Sequence, residues 1–288
     1  MDEARSRLIG IALMVGSFVV FAAVDASAKY LSASLPVGQV IFLRYIIATI
    51  YAAIILSATG GLRFFKTKKP GLQVVRGILL AIATVTNFIA LQHLRLDQTS
   101  SIMFSSPLWV CALSVPLLGE SVGPRRWAAV AGGFIGVLII VRPGTEGFHW
   151  AMLVSLISPL AVALYLIASR KVGETDSAQT SMFYPTLVGT FAVLPMVPLE
   201  WAPPSGYEWF IAVIMGVSAS VGHQMLSQAH RMAPAPILAP FIYTQIISMA
   251  AMGYIFFGDV PDRWTFAGAA IVIASGLYLL ARERQLKA

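Results

Sequence analysis

The sequence predicts an all-α membrane protein with ten transmembrane helices in two inverted five-helix repeats, both termini cytoplasmic. Three observations predict it. Of 288 residues, 58% are hydrophobic and only 11% are charged, whereas a soluble domain carries about 25% charged residues. Apolar stretches near the roughly 20 residues that cross a bilayer core recur along the whole chain. The Lys and Arg residues fall mainly on one side of those stretches. Together these exclude a soluble enzyme, a nucleic-acid partner and a disordered chain. The net charge of +7 belongs to loops facing an anionic leaflet.

The stretches run 8–28, 37–58, 75–94, 98–118, 125–141, 151–170, 178–198, 208–229, 236–257 and 264–281. The first begins like a secretory signal, with Arg5, Arg7 and a later Ala26-Ser27-Ala28. Its apolar run is longer than the roughly 7–15 residues of a signal core, so it reads as a retained helix. Turn chemistry separates the others: Leu35-Pro36, Lys69-Pro70-Gly71, Gly123-Pro124, Arg142-Pro143-Gly144, Ala202-Pro203-Pro204 and Val260-Pro261-Asp262. Proline and glycine beside polar residues punctuate helices in this way.

Orientation follows from the basic residues. With the N-terminus inside, fifteen of the twenty Lys and Arg are cytoplasmic: Arg5, Arg7, Arg63, Lys66, Lys68, Lys69, Arg76, Arg125, Arg126, Arg170, Lys171, Arg231, Arg282, Arg284 and Lys287. Four lie outside, namely Lys29, Arg95, Arg142 and Arg263, and Arg44 lies within the second helix.

The chain also repeats itself at an offset of 139. Gly77 matches Gly216, Ala90 matches Ala229, Phe104-Ser105 matches Tyr243-Thr244, and Gly119-Glu120 matches Gly258-Asp259. Residues 1–143 and 144–288 then form two five-helix repeats. Five is odd, so the second half enters the membrane inverted, an arrangement typical of secondary transporters.

Several runs resemble the EamA-type repeat of the drug/metabolite transporter superfamily. In the first half they are Asp25-Ala26-Ser27-Ala28-Lys29-Tyr30, Phe42-Leu43-Arg44-Tyr45, Ala90-Leu91-Gln92-His93-Leu94, Pro107, Trp127 and Gly132-Gly133-Phe134-Ile135-Gly136. The second half is looser: Phe257-Gly258-Asp259, Trp264, Gly268 and Gly276. The resemblance implies a multi-pass inner-membrane carrier working by alternating access. It further implies export of small metabolites, as in bacterial exporters of aromatic and neutral amino acids. Other substrates of such carriers are S-adenosylmethionine, sugars, nucleotide-sugars and drugs. The implied partners are an amino acid-like substrate and the lipid bilayer, with the chain a monomer or homodimer. No cofactor or metal is expected.

Polar groups within the apolar stretches are the candidate site. Asp25 and Lys29 share a helical face, and Arg44 lies about 10 Å inside the second helix. They either receive a zwitterion, with Arg44 on its carboxylate and Asp25 on its ammonium, or form an internal pair closing the outer mouth. Ser220, His223, Gln224 and Ser227 make one polar stripe on the eighth helix. They line a cavity or bond between helices. Helices four and nine correspond by the same offset and carry Ser105 and Trp109, and Tyr243 and Gln245; Pro107 can open the backbone of helix four, and helix nine is entered through Pro234, Pro236 and Pro240. Asn87, Ser158 and Tyr165 complete the candidates. Glu120 and Asp259 are expected to cap or tether neighbouring helices. Ala128, Gly132 and Gly136 line up for close helix packing or a dimer contact. One cysteine, Cys111, and four scattered histidines build no disulfide or metal site. No Gly-x-Ser-x-Gly, His-Glu-x-x-His or P-loop run occurs.

Overall fold

A computed structural model describes residues 3–60, 64–119, 122–173, 175–197 and 201–287. Among the described residues it is helical, with no strand. The helices are α1 (Glu3–Leu31), α2 (Val37–Gly60), α3 (Pro70–Leu91), α4 (Leu96–Met103), α5 (Ser106–Leu118), α6 (Pro124–Val141), α7 (Trp150–Gly173), α8 (Ala178–Val193), α9 (Gly206–Met232), α10 (Ala235–Leu238), α11 (Thr244–Phe257) and α12 (Arg263–Lys287).

Among the described residues, seven segments are long and apolar enough to cross a membrane: Arg5–Leu31, Val37–Ala58, Pro70–Leu91, Leu96–Leu118, Pro124–Val141, Trp150–Gly173 and Gly206–Met232. Phe241–Phe257 and Arg263–Leu279 are shorter apolar helices. Large exposed side chains such as Ile54, Phe191, Phe210, Ile247, Phe256 and Phe266 cover the outside. Apolar cover on that scale suits lipid rather than water.

Local chemistry sets the ends. Pro70 and Pro124 begin α3 and α6, where a missing N–H costs nothing. Ser205 and Glu208 form a capping box on α9, and Ser177 caps α8 through the Thr180 amide. The helix over 98–118 breaks at Phe104-Ser105, and that over 236–257 breaks in a 3₁₀ turn at Ala239–Tyr243. Both breaks sit beside prolines that cannot donate to the preceding turn. The two broken helices end alike. Gly119 and Gly258 close α5 and α11 in the left-handed region, at φ 68° and 69°, where a side chain would be strained.

Packing follows a matching scheme. α1 packs on α9 and α11, as α7 packs on α3 and α5. α2 packs on α9, as α3 packs on α8. The paired glycines lie at corresponding crossings: Gly77 of α3 faces Val188, and Gly216 of α9 faces Ile47. The α6 stripe is occupied within the chain: Gly136 faces Gly268 of α12, and Gly132 faces Ser275.

One polar knot ties the α7–α8 turn to the segment before α3. Asp176 accepts from the Thr67 and Thr175 hydroxyls, the Lys68 amide (2.9 Å) and the Gln73 side-chain amide (2.8 Å). Burial pushes its carboxyl up, but these donors hold it below the usual carboxylate range. The knot's contribution is therefore complete above the ordinary value of about 3.9 and is lost as pH falls through the lowered value. The melting temperature of the detergent-solubilised protein should fall across that acid window. Asp176→Asn should melt lower at neutral pH and respond less to acid. Identical melting curves at both pH values would show that the knot adds nothing.

Candidate functional site

A cavity of about 230 Å³ opens between α2, α7, α8 and α9. Its wall carries Arg44, Tyr45 and Ala48 of α2, Tyr165 of α7, Ser181, Pro185 and Thr186 of α8, and Ser220, His223 and Ser227 of α9. Tyr165, Ser181 and Ser227 lie toward the end of the bundle that carries the Asp176 knot. Arg44 lies deeper, toward the opposite end.

Arg44 is the cavity's distinctive group. One guanidinium nitrogen, Nη1, donates to Thr84 Oγ1 at 3.3 Å. The plane lies 4.9 Å from the Tyr45 ring and 5.8 Å from Phe88. Its Nε is buried without a hydrogen-bond partner. Tyr45 is fully buried apart from the wall it presents, and its hydroxyl shares Thr84 Oγ1 at 2.9 Å. A cation in a cavity wall within an apolar bundle is suited to an anion. Asp25 makes no direct ion pair with Arg44. It accepts instead from Asn87 Nδ2 at 3.2 Å. Thr84 and Asn87 stand one turn apart on α3, so both charges are held at one level.

Opposite the cavity mouth the bundle is closed by charge. Lys29 Nζ lies 2.9 Å from Asp259 and 3.0 Å from the Leu94 carbonyl, with Phe257 beneath it. Arg95 forks onto Asp97 at 3.0 and 3.1 Å and reaches Asp262 at 3.3 Å. Arg142 Nη2 meets the same Asp262 oxygen at 3.1 Å. The other Asp262 oxygen caps α12 through the Trp264 and Thr265 amides. Burial pushes the Asp262 carboxyl up, but the Thr265 amide and the two guanidiniums hold it below its ordinary range. Asp259 thus tethers α1. Glu120, its counterpart, lies outside the described residues, as do Arg63 and the side chains of Arg282, Arg284 and Lys287.

The remaining candidates lie away from the cavity wall. Ser158 donates to the Ala83 carbonyl at 2.9 Å and joins α7 to α3. Ser105 is buried at the α4–α5 break with no partner. Trp109 packs edge-on against Phe134 at 4.8 Å, with its Nε1 unpartnered. Tyr243 stacks on Phe104 at 5.2 Å, joining the two breaks. Gln224 and Gln245 are half-buried off the lining. The α9 stripe residues in the wall are also held: Ser220 donates to the Ala48 carbonyl at 3.2 Å and His223 packs on Phe21 at 4.9 Å.

Two features were not legible as site chemistry. Ser181 and Thr186 carry no charge to mark them. Arg76 was counted among the surface charges, yet it is only 3% exposed. It donates to Ser169 Oγ (2.8 Å), Gln73 Oε1 (2.6 Å), Tyr165 Oη (3.3 Å) and the Ser181 carbonyl (3.3 Å). It therefore fixes two residues of the cavity wall. A run of hydroxyls and amides facing one Arg on three helices was the available signal. Arg76→Ala should weaken substrate affinity by loosening Tyr165 and Ser181, while Arg76→Lys keeps the charge but not the fork. Binding measured on the purified variants checks this, and an unchanged affinity in Arg76→Ala would remove Arg76 from the account.

An apolar-surfaced helical bundle with broken helices, a cavity whose wall carries a guanidinium and several hydroxyls, and a charged closure at its far end suits a multi-pass membrane transporter. The chain belongs to the EamA-like transporter family, which matches it over residues 8–142 and 149–281, within the drug/metabolite transporter superfamily. It is similar to an S-adenosylmethionine uptake transporter of Rickettsia felis, 28% identical over 284 residues, covering 99% of this chain and 96% of that one. A riboflavin transporter of Vibrio cholerae is 28% identical over 288 residues, covering 98% and 96%. A pseudopaline exporter of Pseudomonas aeruginosa is 27% identical over 272 residues, covering 94% and 95%. A crystal structure shares the fold with TM-score 0.65 and 17% identity over 100% of both chains.

Proposed function

We propose that this chain is an inner-membrane secondary carrier for small amino acid-type metabolites. The observation that carries this reading is Arg44, a guanidinium in the cavity wall held by one hydrogen bond, to Thr84, and, among the described residues, in no ion pair there. A carboxylate can accept from the guanidinium fork. Ser220 and His223 offer polar contacts beside it, and Tyr45 and Tyr165 offer rings for the apolar part. α4 with α5, and α10 with α11, each cross the bilayer once as broken helices. With α8 and α12 the chain crosses ten times, as inverted repeats 1–143 and 144–288, with both termini cytoplasmic. The cavity then faces the cytoplasm, where an exported substrate loads and an imported one is released. The ion pairs of Lys29, Arg95 and Arg142 close the outer end.

Reconstituted protein should exchange labelled neutral and aromatic amino acids across a vesicle membrane without any imposed gradient. A folded protein that exchanges none of them would reject this substrate class. A second reading keeps the same head group. S-adenosylmethionine is an amino acid with a flat base, and four relatives named for its uptake are 27–28% identical over 99% of this chain. Exchange of that compound, with phenylalanine and methionine inert, would select it.

The closure makes its own prediction. With Cys111 replaced by Ser, a cysteine at position 220 should react slowly with an impermeant maleimide added from outside. Asp262→Asn removes the anion shared by two guanidiniums, so labelling should rise several-fold. An unchanged rate would mean the cluster is not the barrier.

A further inference from the structure

We propose that Asp25 is a proton site that couples substrate movement to the proton gradient through Arg44. The inference rests on the amino acid-type reading, in which Arg44 takes the substrate carboxylate.

Asp25 lies six residues before the end of α1, roughly 9 Å along the helix axis, inside the apolar segment. Its Oδ1 accepts one hydrogen bond, from the neutral Asn87 amide. Among the described residues no cation forms an ion pair with it. Lys29, one turn away on the same face, is taken by Asp259 and the Leu94 carbonyl. The groups that face this level are few. α2 supplies Arg44 and Tyr45. α9 supplies His223, packed on Phe21 one turn from Asp25. The 3₁₀ turn supplies Tyr243, α3 supplies only Asn87 and Thr84, and the α11–α12 turn supplies Asp259. Among the described residues at this level, Arg44 is the cation that no carboxylate holds. It acts on the carboxylate across a gap while standing in the cavity wall, held by one hydrogen bond to Thr84.

One guanidinium therefore serves two anions in turn. In the empty cavity Arg44 is the counter-charge of ionised Asp25. A substrate carboxylate on Arg44 withdraws that compensation. A lone carboxylate within the membrane is costly. Asp25 then takes a proton from hydronium: one O–H bond of the hydronium breaks, one O–H bond forms on the carboxyl, and a neutral water is left. Substrate and proton are carried together, and both leave on the opposite side when Arg44 returns to Asp25. Under an inward proton gradient this chemistry drives uptake, opposite to the export implied by the sequence resemblance.

The test uses the full chain in proteoliposomes with L-phenylalanine, L-methionine and S-adenosylmethionine as separate probes. Gradient-free exchange is measured first. Accumulation and internal pH are then followed under a one-unit proton gradient. One proton per substrate sustains about a tenfold accumulation. The readout is the ratio of accumulation to exchange within each variant, which cancels differences in the amount of folded carrier. Wild type should accumulate tenfold with matching proton entry. Asp25→Asn should lose the gradient response, and Asp25→Glu should restore it. Exchange by wild type without proton movement, or an Asp25→Asn ratio equal to wild type, overturns the proposal. Failure of all three probes to exchange defeats the substrate reading alone. The proton site is then read by infrared titration from acid to alkaline buffer. A protonated-carboxyl band missing from Asp25→Asn upholds it, and its absence from wild type overturns it.

Discussion

Arg44→Gln is expected to raise the KM for substrate about 10- to 100-fold. A hydrogen bond to a charged group contributes roughly 1.5–3 kcal/mol, and each 1.4 kcal/mol or so is tenfold in affinity. Glutamine keeps a donor and much of the length but carries no charge. Arg44→Lys should fall between the two, because an ammonium keeps the charge and loses the two-pronged geometry. The variant protein should still purify as a single species, since Arg44 has only one hydrogen bond to the scaffold, to Thr84. Transport kinetics on quantified, folded protein decide the matter. Equal losses of folded protein and of transport would instead give Arg44 a structural role between α2 and α3.

The second large effect belongs to the crossing of α6 and α12. A Cβ at Gly268 would lie 2.5 Å from the Gly136 carbonyl oxygen and 2.5 Å from Ile140 Cγ1. Backbone cannot yield as a side-chain tip can, so the helices must separate. Overpacking of this kind costs about 3 kcal/mol. Gly268→Val should therefore lower the melting temperature markedly and reduce the yield of folded carrier. Gly71→Ala is the control, because a Cβ there meets nothing within 4 Å. A Gly268→Val protein as stable as wild type would show that α6 and α12 do not need this contact.

Seven of the ten apolar stretches were legible as full-length apolar helices, and those over 236–257 and 264–281 as shorter ones, because lipid imposes length and composition directly. The breaks at Phe104-Ser105 and Ala239–Tyr243 were legible too, since Pro107 and Pro240 sit beside them. The α9 stripe was partly legible: three of its four residues line the cavity, but Gln224 does not. Periodicity finds a polar face without resolving which edge of it meets the opening. The small-residue stripe of α6 left open a dimer contact, and the structure fills that face with α12. The charged closure was hidden for another reason. Lys29 and Asp259 are 230 residues apart, and Arg142 and Asp262 are 120 apart. Counting Lys and Arg assigns each to a surface, and nothing local announces its partner. Arg76 was missed by the same counting, which treats a cation near a helix start as solvated.

That closure also bears on the energy economy of the cell. A cavity holding water on one side is separated from the other side by a few side chains. If the separation failed while the cavity stayed open, a continuous file of water would let ions run down the membrane potential, which does about 2.3 kcal/mol of work per charge per 100 mV. Apolar packing alone would exclude water but could part silently. Interlocked guanidiniums and carboxylates part only when water or a new partner replaces each bond. The Lys29–Asp259 pair and the separate Arg95–Asp97–Asp262–Arg142 cluster would thus act as electrical insulation, making leakage costly whenever no cargo drives the turnover.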